Sequence, residues 1–232
     1  MKIYIALLLF SFQTNVASAQ DDYCYGAEQG KHSIRDLKLY STSGNYQVDQ
    51  ITIQELSFMS SRFLVYPVLY FYDGENAFAS KDQLSPNGPD GTVAFGFQLF
   101  NREYIRYPGG PSIPIIIAHE FGHIVQFKYG GFSHISIMKK ELFADYLAGA
   151  YLLIRGGLNI DAVQESFEEM GDTDFGSLDH HGTPEQRTAA LAEGYNDAMR
   201  EGYRFTLSRA ITLGRKYVLS IPDPENEDEV EP

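Results

Sequence analysis

The segment Ser112-Ile-Pro-Ile-Ile-Ile-Ala-His-Glu-Phe-Gly-His-Ile-Val-Gln-Phe-Lys128 constrains the fold of this chain more than any other. Its apolar residues cover every side of a helical projection, and a helix of that kind belongs in a protein interior. Yet its middle carries His119, Glu120 and His123. Two imidazoles and a carboxylate buried without partners are costly, so the fold must supply something for them to bind. On an α-helix, residues i and i+4 point the same way to within about 40° and lie about 6 Å apart along the axis. Two imidazoles so placed can share one metal ion. Glu120 points about 100° away from His119, where a carboxylate can act as general base toward a water on the metal. The plainer alternative is that carboxylates elsewhere, or the protein surface, satisfy the two histidines.

A catalytic zinc takes three protein ligands and keeps one position open for water. The next helical stretch, Ile137 to Arg155, contains Glu141-Leu-Phe-Ala-Asp145-Tyr-Leu-Ala-Gly149. Glu141 and Asp145 are again spaced i, i+4 and share a face. Ala144, Ala148 and Gly149 are small and allow the two helices to approach closely. Glu141 completes a His2Glu set in this reading, and Asp145 orients a ligating histidine from behind. Two alternatives stay open: Asp145 as the third ligand, and Glu141 as an exposed partner of Lys139 or Lys140. Further on lies His180-His-Gly-Thr-Pro-Glu-Gln-Arg187. Thr183, Pro184 and Gln186 form a capping-box start for a helix running to about Arg200. His181, just before that start, is a candidate donor to an oxyanion. Arg187 is a second candidate donor, or it orients a carboxylate of the site, or it pairs with Glu185, Glu193 or Asp197. His32 and His134 have no evident partners.

The rest of the chain reads as strands first and helices after, an α+β arrangement. Ile51 to Phe63 has helical spacing. Tyr66 to Tyr72 and Thr92 to Phe100 read as strands, with the turn-rich Ser85 to Gly91 between them. Breaks at Pro108-Gly-Gly-Pro111, Gly130-Gly131 and Gly156-Gly157 separate helices over about 113–128 and 137–155, with Ser112 and Ser136 as caps. Shorter helical stretches follow at about Asp161 to Met170 and Phe205 to Ser220.

At the amino end, Lys2, the apolar run Ile3 to Phe12 and Ala17-Ser-Ala19 have the layout of a secretory signal peptide cleaved after Ala19. The run is too short to span a bilayer of about 30 Å. The expected organisation is therefore a signal over 1–19, a single domain over 20–220 and an acidic, disordered tail over 221–232. The tail holds six of the chain's 31 acids and no base. The predicted location is secreted or periplasmic, with no stable membrane span once the signal is removed. A formal net charge of −13 argues against a nucleic-acid partner, which needs a basic footprint. The lone cysteine, Cys24, excludes an intramolecular disulfide framework and a cysteine zinc site.

Three segments together, His119-Glu-Phe-Gly-His-Ile-Val-Gln126, Glu141 to Gly149 and His181 to Arg187, resemble the bacterial neutral zinc metallopeptidase family, zincins of the Glu-zincin kind. The order H-E-x-x-H then E-x-x-A-D, with Asn76-Ala-Phe-Ala79 upstream, is also similar to the CAAX-type membrane peptidases. Those enzymes carry several transmembrane helices, whereas no comparable apolar stretch follows residue 19 here. The first family typically has cysteines in the strand region, where this chain has Phe78 and Ala94. The resemblance implies a zincin-like fold and one Zn2+ bound by His119, His123 and Glu141. It also implies Glu120 as general base and a peptide or protein as substrate. The expected activity is a secreted zinc metallopeptidase, with Thr92 to Phe100 beside the cleft as a strand for an extended peptide to join. A zincin-fold protein that keeps the metal without turnover is the alternative, and a zinc amidase acting on cell-wall peptides differs only in substrate.

Overall fold

The computed structural model describes residues 34–106, 112–157 and 181–223. The signal layout, Cys24, His32, the helical stretch at 161–170, His180 and the tail beyond Asp223 lie outside these residues. The architecture is mixed α and β. Four strands, β1 (Leu39–Tyr40), β2 (Val68–Tyr72), β3 (Ala77–Ser80) and β4 (Thr92–Gly96), form one sheet in the order β1-β2-β4-β3. Among the described residues six α-helices accompany it: α1 (Tyr46–Phe63), α2 (Phe97–Arg106), α3 (Ser112–Tyr129), α4 (Ile137–Arg155), α5 (Pro184–Glu201) and α6 (Leu207–Leu219). Among the described residues no helix is long and apolar enough to cross a membrane.

β4 pairs parallel with β2 and antiparallel with β3, and all five of its residues are buried. β2 has a strand's alternation, with Leu69 and Phe71 turned inward. The strand expected over Thr92 to Phe100 is shorter than its sequence suggests, because the chain turns helical at Phe97. From there the pattern changes period. Leu99 and Glu103, four apart, are buried, and Phe100 stacks on Tyr104 with ring centroids 5.8 Å apart. A peptide cannot join β4 either, since both of its edges are already paired. β1 and β3 are the outer strands.

α1 starts earlier than its apolar spacing predicts. Asn45 caps it by accepting from the backbone N–H groups of Gln47 and Val48 at 3.0 and 3.4 Å. α5 begins as expected, with the full Thr183–Gln186 capping box and Pro184 in the first turn. Ser112 lies inside α3 rather than capping it. Ser136 precedes α4 but makes no side-chain cap; its hydroxyl donates to Asp223 Oδ1 at 2.6 Å. Lys139 Nζ donates to the other Asp223 oxygen at 2.7 Å. The first acid of the expected tail is therefore tied to the start of α4.

α3 lies between the sheet and α4, with α1 beside it, and α4 lies between α3 and the pair α5 and α6. One apolar core runs through these layers from Val48 to Val218. Glycines set the spacing. A Cβ at Gly122 would lie 2.7 Å from Ala144 Cα, so α3 and α4 touch backbone to backbone there. Gly149 serves a different contact from the one expected. Its missing Cβ would lie 1.8 Å from Leu191 O, so it admits α5 rather than α3.

Candidate metal centre

The α3–α4 contact at Gly122 and Ala144 brings the polar residues of the two helices face to face. His119 and His123 project from adjacent turns of α3, and their Nε2 atoms lie 3.0 Å apart. Glu141, in the first turns of α4, places Oε2 3.2 Å from His119 Nε2 and Oε1 3.5 Å from His123 Nε2. All three side chains are buried, and together they form a group that could hold a metal ion. Glu141 is therefore not an exposed partner of Lys139 or Lys140.

The partners of the two rings decide what their Nε2 atoms are. Asp145 Oδ1 lies 2.7 Å from His119 Nδ1. Burial opposes charge on Asp145, but Arg187 and His119 outweigh it and hold the carboxyl below its ordinary range. An ionised carboxylate only accepts, so His119 Nδ1 donates. Gln126 Oε1 lies 3.1 Å from His123 Nδ1 and is likewise an acceptor, so that nitrogen also donates. Both Nε2 atoms then present lone pairs to each other and to the oxygens of Glu141. With both imidazoles neutral, four acceptors converge in a buried space, and either a proton on an imidazole or a metal ion among them offsets that cost.

Distances and charge fit a divalent ion. A tetrahedral ion with bonds of about 2.0–2.2 Å needs ligand atoms about 3.3–3.5 Å apart, close to the separations here. With neutral imidazoles, the carboxylates of Glu120, Glu141 and Asp145 against the single Arg187 guanidinium leave a net charge of −2. Burial opposes charge on His119, but Asp145 and Glu141 overcome it and raise the imidazole to about 10. The space between the rings favours positive charge. Burial also works against ionised Glu141, yet His123, His119 and His181 hold it well below the ordinary carboxylate range.

Glu120 differs from the other two carboxylates. It is as deeply buried, but its Oε2 has no hydrogen-bond partner among the described residues. Burial raises its carboxyl above the ordinary value, and the nearby imidazoles offset this only in part.

His181 sits just before α5, with Nδ1 3.7 Å from Glu141 Oε1, beyond hydrogen-bond length. Its side chain is 20% exposed, more than that of any ligand candidate. Arg187, from the first turn of α5, bonds both oxygens of Asp145 at 2.8 Å, from Nε and from a terminal nitrogen. It orients a carboxylate and does not pair with Glu193 or Asp197, which face Arg200 instead. Asp145 stands behind His119, bonded to Nδ1, while Glu141 stands at the Nε2 side. Gln126 is the site residue the sequence reading missed. Its signal was its place three residues after His123 on the same helix.

No family model, curated protein or solved structure matches this chain.

Proposed function

We propose that this chain is a zinc-dependent peptidase of the zincin kind, exported on the strength of its amino-terminal signal layout. The observation that carries the reading is the buried Oε2 of Glu120, without a hydrogen-bond partner among the described residues, beside the His119, His123 and Glu141 group. A binding or structural zinc site has no use for that oxygen, whose burial costs stability. Hydrolysis does use it.

His119 Nε2, His123 Nε2 and a Glu141 oxygen would hold the ion. Two imidazoles, one carboxylate and an open position are the donor set of catalytic zinc. Zinc bound there would supply an acidified water and polarisation of the carbonyl to be attacked. Glu120 Oε2 accepts the proton as that water attacks and returns it to the leaving amine nitrogen. His181 is placed to donate to the oxyanion that develops on the carbonyl oxygen. Asp145, clamped by Arg187, keeps the His119 proton on Nδ1. An extended peptide would pair with β3, the outer strand packed on α3.

The test is metal content of the purified protein, followed by hydrolysis of a mixed peptide library by wild type and Glu120→Gln. One zinc per chain, with cleavage by wild type alone, is the expected result. Equal cleavage by both proteins would sink the mechanism. Bound zinc with no turnover by either would favour the non-catalytic zinc-binding alternative.

A further inference from the structure

His119 and His123 are oriented by different chemistry. Behind His119 stands a charged relay, Asp145 and then Arg187. Behind His123 stands a neutral amide, Gln126. That amide can be placed in only one way. Its Nε2 lies 2.7 Å from the backbone carbonyl oxygen of Lys140. A carbonyl can only accept, so Nε2 donates to it and Oε1 is left to face His123 Nδ1. The same side chain thus bonds a ring on α3 and the main chain of α4, at the residue immediately before Glu141.

We infer that Gln126 is a positioning residue for metal binding, a strut that sets both the tautomer of His123 and the distance from His123 to Glu141. This rests on the zinc reading above. Two consequences follow from the bonds. Without an acceptor at Nδ1, His123 can move its proton to Nε2, the atom that must carry the lone pair. Without the bond to Lys140, the Glu141 turn loses a main-chain tie to α3 and rests on the contacts of the Glu141 side chain with the two rings. Gln126 is itself buried, so water is poorly placed to replace either bond.

The two bonds can be separated in the full chain. Gln126→Met keeps the length and loses both. Gln126→Glu restores an acceptor for His123 Nδ1 but turns an acceptor toward the Lys140 carbonyl. Zinc affinity is measured by competition with a chelator of known strength, and the melting temperature of each protein is measured after zinc is stripped. Gln126→Met is expected to bind zinc about 10- to 100-fold more weakly than wild type, the usual cost of losing a partner behind a ligand. Gln126→Glu is expected to recover most of that affinity while melting below wild type. A purely structural role predicts lower melting in both variants with zinc affinity unchanged. Gln126→Met binding within about threefold of wild type overturns the inference.

A measurement on the wild type keeps the test open if a variant fails to fold. With 15N-labelled histidine and zinc bound, His123 should show its proton on Nδ1, and a proton on Nε2 overturns the inference. Wild type that takes up no zinc overturns the zinc reading and this inference together. Wild type that binds one zinc no better than Gln126→Met overturns the inference alone.

Discussion

α4 carries two buried polar clusters, one near each end, and they are built on opposite principles. Near its carboxyl end, Tyr151 and Arg155 meet Glu55 from α1. Arg155 donates to both Glu55 oxygens, with bonds of 2.6, 3.0 and 3.2 Å, and the Tyr151 hydroxyl donates to Oε2. One carboxylate faces one guanidinium, and both carboxylate oxygens are satisfied. Near the amino end, Glu141 and Asp145 meet His119, Glu120, His123 and Arg187. There, with neutral imidazoles, the named groups carry a net charge of −2, and Glu120 Oε2 has no partner among the described residues. The only other such atom among the described residues is the hydroxyl of Thr188, a cheaper group to leave unpaired than a carboxylate oxygen. A closed cluster is what a fold needs to join two helices. An open one is a cost that stability alone does not explain, and it lies where a metal ion could be held.

The comparison breaks if both clusters respond alike. The largest expected effect is that of Glu141→Ala on zinc. Removing a direct ligand should weaken binding beyond the roughly 10- to 100-fold that partners behind ligands command, as read by chelator competition. Next is Glu120→Gln, which should lower peptide turnover by about 10²- to 10⁴-fold, the usual worth of a general base, while zinc content stays at the wild-type level. At the closed cluster, Glu55→Ala should cost about 2–3 kcal/mol in urea unfolding. The cost is held down because the Arg155 side chain is 31% exposed and can turn to water. Zinc affinity should not change. A Glu55 variant that lost zinc as readily as Glu141→Ala would remove the distinction between the clusters.

The smallest effect is a pH dependence. Burial, and then Glu55, raise the Tyr151 hydroxyl above its ordinary value near 10. The unfolded chain sheds this proton above about pH 10, whereas the folded chain keeps it. The resulting stability is fully present below pH 10 and is lost as pH rises through the folded value. Tyr146, buried and bonded to Asp197 Oδ2 at 2.7 Å, behaves alike. Urea midpoints from pH 9 to 11 should fall, and Tyr151→Phe should flatten the slope at a cost of about 1 kcal/mol at neutral pH. An unchanged slope in Tyr151→Phe would place the alkaline sensitivity elsewhere.

Much of the helical half was legible because its signals are local. The Thr183 capping box, the glycine breaks and the i, i+4 pairs on α3 and α4 each depend on residues within a few positions of one another. The sheet half was less legible. Phe97 to Phe100 is as apolar as the strand before it, and only the wider spacing of Leu99, Glu103 and Tyr104 distinguishes a helix. That β4 sits between β2 and β3, closing both its edges, is a non-local pairing that no short pattern encodes. The acidity of the carboxyl end was read correctly as composition. The capture of Asp223 by Ser136 and Lys139, some 85 residues away, was not.

Within the site the same division holds. The sequence alone determined that His119 and His123 share a helix face with Glu120 beside them, because 3.6 residues per turn leaves no other arrangement. It also determined that Glu141 and Asp145 lie on one face of α4. It could not decide between them as the third ligand, since both point the same way one turn apart. Tertiary structure separates them through the axial offset of the two helices. With Gly122 against Ala144, Glu141 reaches the Nε2 side of the rings and Asp145 the Nδ1 side of His119. The same offset brought the Lys140 carbonyl to Gln126 and Arg187 to Asp145. Those contacts depend on how far one helix slides along another, a distance set by the packing of small residues and absent from the spacing of either helix alone.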